Sequence, residues 1–318
     1  MSVIELSMRD IRALRSRDAE FPAYGNRPAL RGSYELWKRL VEDAVQSDAP
    51  PSPELVVANE MLAAWESHLG IGRVSSFPVT TSLNITDVCN ARCTFCPYVP
   101  ERVSHQRISL DKLRRSDWLR FSKVFTPNGG GLGDPITHPD IDEIIAIVRE
   151  LAPYIIFTMI TNGSLLREKA LNSLAGFARL IKFSLNAGRK ETYEKTMYPL
   201  KWDKTVDNFK RLRDRKLALG TDLPTMRAGY VLHKHNIDEL PELPRLLREW
   251  GFSELFINVM VPPPPSPSAG RPLMTRQDTI FEVVDLAQRR FEELRLECAR
   301  HQIQIFDGLP RLTAGRGS

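Results

Sequence analysis

Three of the four cysteines fall within eight residues, in the run Cys89-Asn-Ala-Arg-Cys93-Thr-Phe-Cys96. Thiolates are soft ligands that suit iron–sulfur clusters and zinc. Three of them on one short loop can hold three corners of a four-iron cluster and leave the fourth iron for a ligand that is not protein. A closed zinc site needs a fourth ligand, usually supplied by a second paired motif downstream. No such pair follows: the remaining cysteine, Cys298, lies about two hundred residues on, inside a helical pattern. A disulfide framework is not indicated either. The N-terminus carries no secretory pattern, and four cysteines in 318 residues make no scaffold.

Further stretches could do chemistry at the ends of apolar runs. Gly131-Leu132-Gly133-Asp134-Pro135 follows the apolar segment Val124–Pro127, and its glycines allow close approach of backbone to a ligand. Thr161-Asn162-Gly163 closes the strongly apolar Tyr154–Thr161, where Asn-Gly also suits a plain turn. Phe183-Ser184-Leu185-Asn186 ends another such segment, and strict alternation puts Ser184 and Asn186 on one face. Polar groups at an inner rim are costly unless they meet a ligand or each other. Tyr98, Arg102, His138, His233 and His235 are polar or aromatic rim candidates, and none is assigned a catalytic role.

Positioning these segments requires a repeating scaffold. Residues 1–78 read as a helical appendage, with helices near Tyr34–Gln46 and Pro53–Leu69 divided by a Pro-rich turn. From Val79 strands and helices alternate: strands at Val79–Thr86, Val124–Pro127, Tyr154–Thr161, Leu180–Leu185, Met226–Leu232 and Leu255–Val261, with a short one at Gln302–Phe306. The intervening helices are expected at Leu110–Lys123, Ile141–Leu151, Leu166–Ala175, Lys204–Ala218, Leu243–Trp250 and Thr279–His301. The pattern predicts an α/β fold with a parallel sheet, curled by right-handed crossovers into a full or partial barrel over residues 79–307, followed by a tail at 308–318. The motifs then all lie at strand C-terminal ends, where β/α barrels place their active sites. Pro262–Pro265 and the residues after them predict an extended rim loop at the barrel mouth.

The cysteine spacing, with these strand-end elements about it, resembles the radical S-adenosylmethionine (SAM) enzymes. That resemblance covers residues 79–307 and implies a partial (β/α)6 TIM-like barrel. It implies a [4Fe–4S] cluster on Cys89, Cys93 and Cys96, and SAM bound through its amino and carboxylate groups to the open iron. Phe95 matches the aromatic residue that the family places near adenine. Gly133 and Asp134 match its Gly-Gly-Glu-Pro element, with Leu132 replacing a glycine and Asp134 the glutamate. Asn162 falls in a Thr-Asn-Gly element common in the family, and Ser184 and Asn186 match the strand end that holds ribose and carboxylate. The resemblance implies reductive cleavage of SAM, by an electron from a flavodoxin- or ferredoxin-type reductant, to a 5′-deoxyadenosyl radical. That radical abstracts hydrogen from a peptide, sugar or natural-product precursor. No cysteine-rich extension precedes Ser318, so no auxiliary cluster is expected. The alternative from another class is a non-catalytic iron–sulfur electron carrier or sensor.

Bulk composition agrees with a soluble chain: 42% hydrophobic, 26% charged, net charge +5. The apolar runs are too short to cross a bilayer, and a cytoplasmic location is the default. The basic cluster from Lys210 to Lys216 is interleaved with Asp207 and Asp214, which reads as a solvated helix face in preference to a nucleic-acid footprint.

Overall fold

The computed structural model describes residues 28–96, 104–128, 133–264 and 272–307. Tyr98, Arg102, Gly131, Leu132, the latter part of the proline-rich loop, the chain before Pro28 and the tail after Asp307 therefore lie outside the described residues.

Two helices come first, α1 (Pro28–Gln46) and α2 (Pro53–Leu69). The ends of α2 are written locally. Ser52 is extended and its side chain accepts the Leu55 N–H, Pro53 opens the first turn, and Gly70 closes the helix at φ 66°. Seven strands follow, β1 (Thr80–Ser82), β2 (Val124–Thr126), β3 (Ile156–Thr161), β4 (Leu180–Ser184), β5 (Thr225–Leu232), β6 (Glu254–Val259) and β7 (Gln304–Asp307). They form one sheet in the order β1-β2-β3-β4-β5-β6-β7. The pairings from β3 to β7 are parallel, and among the described residues β7 does not pair back to β1. The architecture is the expected α/β one, an open partial barrel.

The connecting helices are α3 (Leu110–Arg114), α4 (Ile141–Leu151), α5 (Glu168–Leu174), α6 (Lys190–Thr196), α7 (Trp202–Ala218), α8 (Leu243–Glu249) and α9 (Val284–Arg300). The helix expected over Leu110–Lys123 is broken. Arg115 ends α3, and the chain restarts as a 3-10 turn at Asp117–Phe121. The helix expected from Thr279 begins at Val284, because 3-10 turns at Arg276–Asp278 and Ile280–Glu282 precede it. The first strand is also shorter than expected. Thr86 leaves it for an antiparallel bridge to Arg107, and its hydroxyl accepts the Val88 N–H.

The chain divides into two compact units. One gathers the residues up to Thr81 with Ser109–Phe125 and Glu143–Ile156. Its core joins Trp37, Val41, Leu62, Trp65 and Phe121. Two buried polar side chains of α2 fix the descent toward β1. Asn59 donates to the Phe77 and Phe121 carbonyls and accepts the Phe77 N–H, while the Glu66 carboxylate accepts the N–H groups of Ser75 and Ser76.

The other unit gathers Ser82–Ile108, Thr126–Asp142 and Phe157 onward. Alternation sorts its strands into two faces. Ile181, Phe183, Met226, Ala228, Tyr230, Leu232, Leu255 and Ile257 are buried. Phe183 and Phe252 meet Phe209 of α7 at ring distances of 4.8 and 5.1 Å. Each such ring withdrawn from water stabilises the fold by about 1.5–3 kcal/mol. The opposite face, with Lys182, Ser184, Arg227, Gly229 and Phe256, is half-buried.

Candidate functional site

The cysteine loop leaves β1 and is held along its length by residues distant in sequence. The Arg92 N–H donates to the Tyr198 carbonyl (2.6 Å), the Thr94 N–H to the Thr196 carbonyl (2.9 Å), and the Met274 N–H to the Thr94 carbonyl (2.8 Å). Cys89, Cys93 and Cys96 are all half-buried, and none forms a disulfide. The Ala91 N–H points at Cys89 Sγ (3.4 Å), and Cys93 Sγ lies 3.3 Å from Met197 Sδ. Burial pushes the Cys89 thiol up to about 12, with the charges of Asp134 and Cys96 adding to the effect. A thiolate at Cys89 therefore calls for positive charge beside it, which a bound metal would supply. Among the described residues no three His, Cys, Asp or Glu side chains gather as ligands of one ion. Thiolates that each take a different iron of a cluster need not converge in that way. Three thiols on one loop, with a backbone N–H directed at sulfur, fit an iron–sulfur cluster.

The strand-end residues fall into two groups. In the first, the polar atoms are committed to the protein and brace the cysteine loop. Gly133 sits at φ 75°, and a Cβ there would lie 2.4 Å from the Thr86 carbonyl oxygen and 2.8 Å from the Asp87 carbonyl carbon. The close approach that needs glycine is thus to the backbone entering the loop. Next to it the Asp134 N–H donates to the Val88 carbonyl (2.8 Å). The Asp134 carboxylate accepts the Thr161 hydroxyl (2.8 Å), the Ile136 N–H (3.1 Å) and the Asn162 N–H (2.7 Å), tying this turn to the end of β3. Burial pushes its carboxyl up, and those three donors pull the other way.

Asn162 then reaches the loop itself. Its amide donates to the Asn90 side-chain oxygen (2.9 Å), and Ser164 links back to both asparagines. Asn90, between the first two cysteines, is a site residue that the sequence reading missed. An Asn beside a ligand cysteine carries no periodic signal.

Asn186 belongs to the same group. Here the alternation argument fails, because β4 ends at Ser184 and Asn186 turns into the left-handed region at φ 56°. Asparagine tolerates that conformation. Its side chain accepts the Val231 N–H (2.8 Å) and donates to Met197 Sδ (3.2 Å), the same sulfur that faces Cys93. Met197 follows α6, a helix that the sequence reading did not assign, so this support too went unforeseen.

In the second group the side chains remain available. Ser184 is half-buried on the open face of the sheet, beside Gly229 of β5. Phe95 is half-buried, its ring 6.1 Å from that of His233. His233 is buried and accepts the His235 N–H through Nδ1, which leaves Nε2 as the protonated nitrogen, with no hydrogen-bond partner among the described residues. Burial first, and His235 second, hold its pKa down to about 3. His235 bonds Asp278 (2.7 Å) at the wall of a cavity of about 550 Å³ that also touches Thr94 of the cysteine loop. His138 is buried, and its Nδ1 accepts the Asp140 N–H.

A family model described as the Radical SAM superfamily matches residues 83–247. The tungsten-containing aldehyde ferredoxin oxidoreductase cofactor-modifying protein of Pyrococcus furiosus is 26% identical over 183 residues, which is 57% of this chain and 51% of that protein. The probable GTP 3′,8-cyclase of Saccharolobus islandicus is 28% identical over 181 residues, 55% of this chain and 54% of the cyclase. The chain thus spans about half the length of the curated relatives it matches. Among solved structures, Streptococcus suis SuiB bound to S-adenosylmethionine superposes with a TM-score of 0.56 at 16% identity, covering 87% of this chain and 61% of SuiB. SuiB bound to precursor peptide SuiA gives 0.55 at 17%, covering 80% and 55%. At such identities these likenesses speak to the fold. No helix among the described residues is long and apolar enough to cross a membrane.

Proposed function

This chain belongs to the radical SAM superfamily, whose members use a [4Fe–4S] cluster and SAM, and from that premise we propose that it is an enzyme acting on a peptide, sugar or other small natural-product precursor. The observation that carries the reading is the cysteine loop itself. Three thiols are offered, and the polar side chains around them are spent on holding the loop in place. Cys89, Cys93 and Cys96 would hold the cluster, which would supply the reducing electron for cleavage of SAM.

The chain's own residues then orient and enclose. Phe95, backed by His233, offers an aromatic surface for adenine, and Ser184 offers a hydroxyl on the open face for the ribose. Gly133, Asp134, Asn162 and Asn186 act one step back by fixing the loop and the strand ends. A flavodoxin- or ferredoxin-type protein as electron donor, and domain limits at 78/79 and 307/308, are parts of the same proposal. The relatives support substrate modification in general terms, since one is named for modifying a cofactor, another for cyclising GTP, and SuiB is known with a precursor peptide.

The test is anaerobic reconstitution with iron and sulfide, then dithionite and SAM. The proposal expects 5′-deoxyadenosine. A fully loaded cluster that yields none would favour an electron carrier or sensor.

A further inference from the structure

The open face of the sheet carries a lysine whose surroundings explain its position poorly in terms of stability. Lys182 stands in register with Arg227 of β5, which in turn is in register with Glu254 of β6. Arg227 is neutralised by Glu254 at 2.6 Å and lies 4.5 Å over the Phe306 ring. Lys182 has no carboxylate within ion-pair distance among the described residues. Its Nζ lies 4.9 Å over the Phe256 ring.

Phe256 pairs with Gly229, and Gly229 pairs with Ser184, so this ring belongs to the layer two residues nearer the strands' C-terminal ends. The lysine stem reaches that layer by crossing Gly229, where a Cβ would stand 3.4 Å from Lys182 Cγ. The ammonium is thus carried over a glycine toward the layer of Ser184, with an aromatic floor under it. Burial, and then the Arg227 charge, hold its pKa below the ordinary lysine value. A half-buried cation with no carboxylate beside it among the described residues costs stability, and a face that keeps one is suited to an incoming negative charge.

We propose that Lys182, presented across Gly229 and above Phe256, binds an anionic group of the substrate, a carboxylate or phosphate adjoining a flat or apolar moiety. This rests on the proposed function, which puts the Ser184 hydroxyl for SAM's ribose on the same open face and so brings the substrate to it. It narrows the substrate class to anionic compounds.

The experiment measures binding directly, by calorimetric titration of the SAM-bound, cluster-loaded chain with inorganic phosphate and, separately, with phenylacetate. Phenylacetate combines the anion with a ring for Phe256, so its tighter binding would identify an organic carboxylate, and tighter phosphate a phosphoryl group. The expected result is that Lys182→Met weakens the preferred probe at least tenfold and raises the melting temperature. Lys182→Arg should retain binding. Lys169→Met, which removes the same net charge from an exposed position, should leave it unchanged. Should neither probe bind the unaltered chain, or Lys182→Met bind as well as it, the proposal is overturned. Neither readout uses SAM cleavage, so failure of the enzymatic reading shows separately, as absence of 5′-deoxyadenosine.

Discussion

At the scale of single residues, Gly133, Asp134 and Asn162 pack on or bond to the loop that carries the thiols. Gly133 gives the sharpest test, because two costs can be separated there. Left-handed backbone costs a non-glycine residue roughly 1–2 kcal/mol. Gly220 has a similar φ of 61°, but nothing lies within 4 Å of where its Cβ would be. Gly220→Ala should therefore show the backbone cost alone in chemical denaturation. Gly133→Ala should exceed it and also lower the iron bound per chain after reconstitution, since Thr86 and Asp87 must shift. Equal losses in the two variants, with iron content unchanged, would contradict the bracing role.

The three cysteines were legible because their information is entirely local. The work of Asp134, Asn162 and Asn186 was not. Their positions stand out in the chain, but their partners are 27, 72 and 45 residues away. Only the folded chain shows which partners within the protein each of them meets.

Elements were legible wherever their ends are written in neighbouring residues. The Ser52-Pro53 start and Gly70 stop bound α2 at the expected residues, and period-two alternation placed β5 and β6 to within two residues at each end. Boundaries failed where a competing local bond intervened. At Thr275 a capping box with Asp278 starts a separate turn ahead of α9, and at Arg115 the chain closes α3 early. Helix α6 escaped notice because its seven polar-rich residues carry little apolar periodicity. The element-scale prediction concerns α2. Asn59→Ala would strip partners from the buried Phe121 carbonyl and the part-buried Phe77 backbone groups, and a buried group left unsatisfied costs about 1–3 kcal/mol. Urea denaturation should show a loss of at least about 2 kcal/mol. A change under about 0.5 kcal/mol, the usual range for an uninvolved surface site, would sink the assignment of Asn59 as the pin of that segment.

For the whole molecule, the order of strands and helices predicted a parallel sheet curled into a full or partial barrel, and the sheet order β1 to β7, not closed among the described residues, has the partial form that the family resemblance implied. What the sequence pattern could not supply is the chemistry of the open face. Alternation says which residues share it, but only the pairing register brings Lys182, Gly229 and Phe256 into one arrangement. The central claim is that three thiolates hold a four-iron cluster whose remaining iron is left for SAM. Electron paramagnetic resonance of the anaerobically reconstituted, dithionite-reduced protein tests it most directly. The account predicts a reduced [4Fe–4S] signal whose g values move when SAM is added, and no such signal after Cys93→Ala. A cluster signal that SAM leaves unchanged would contradict it.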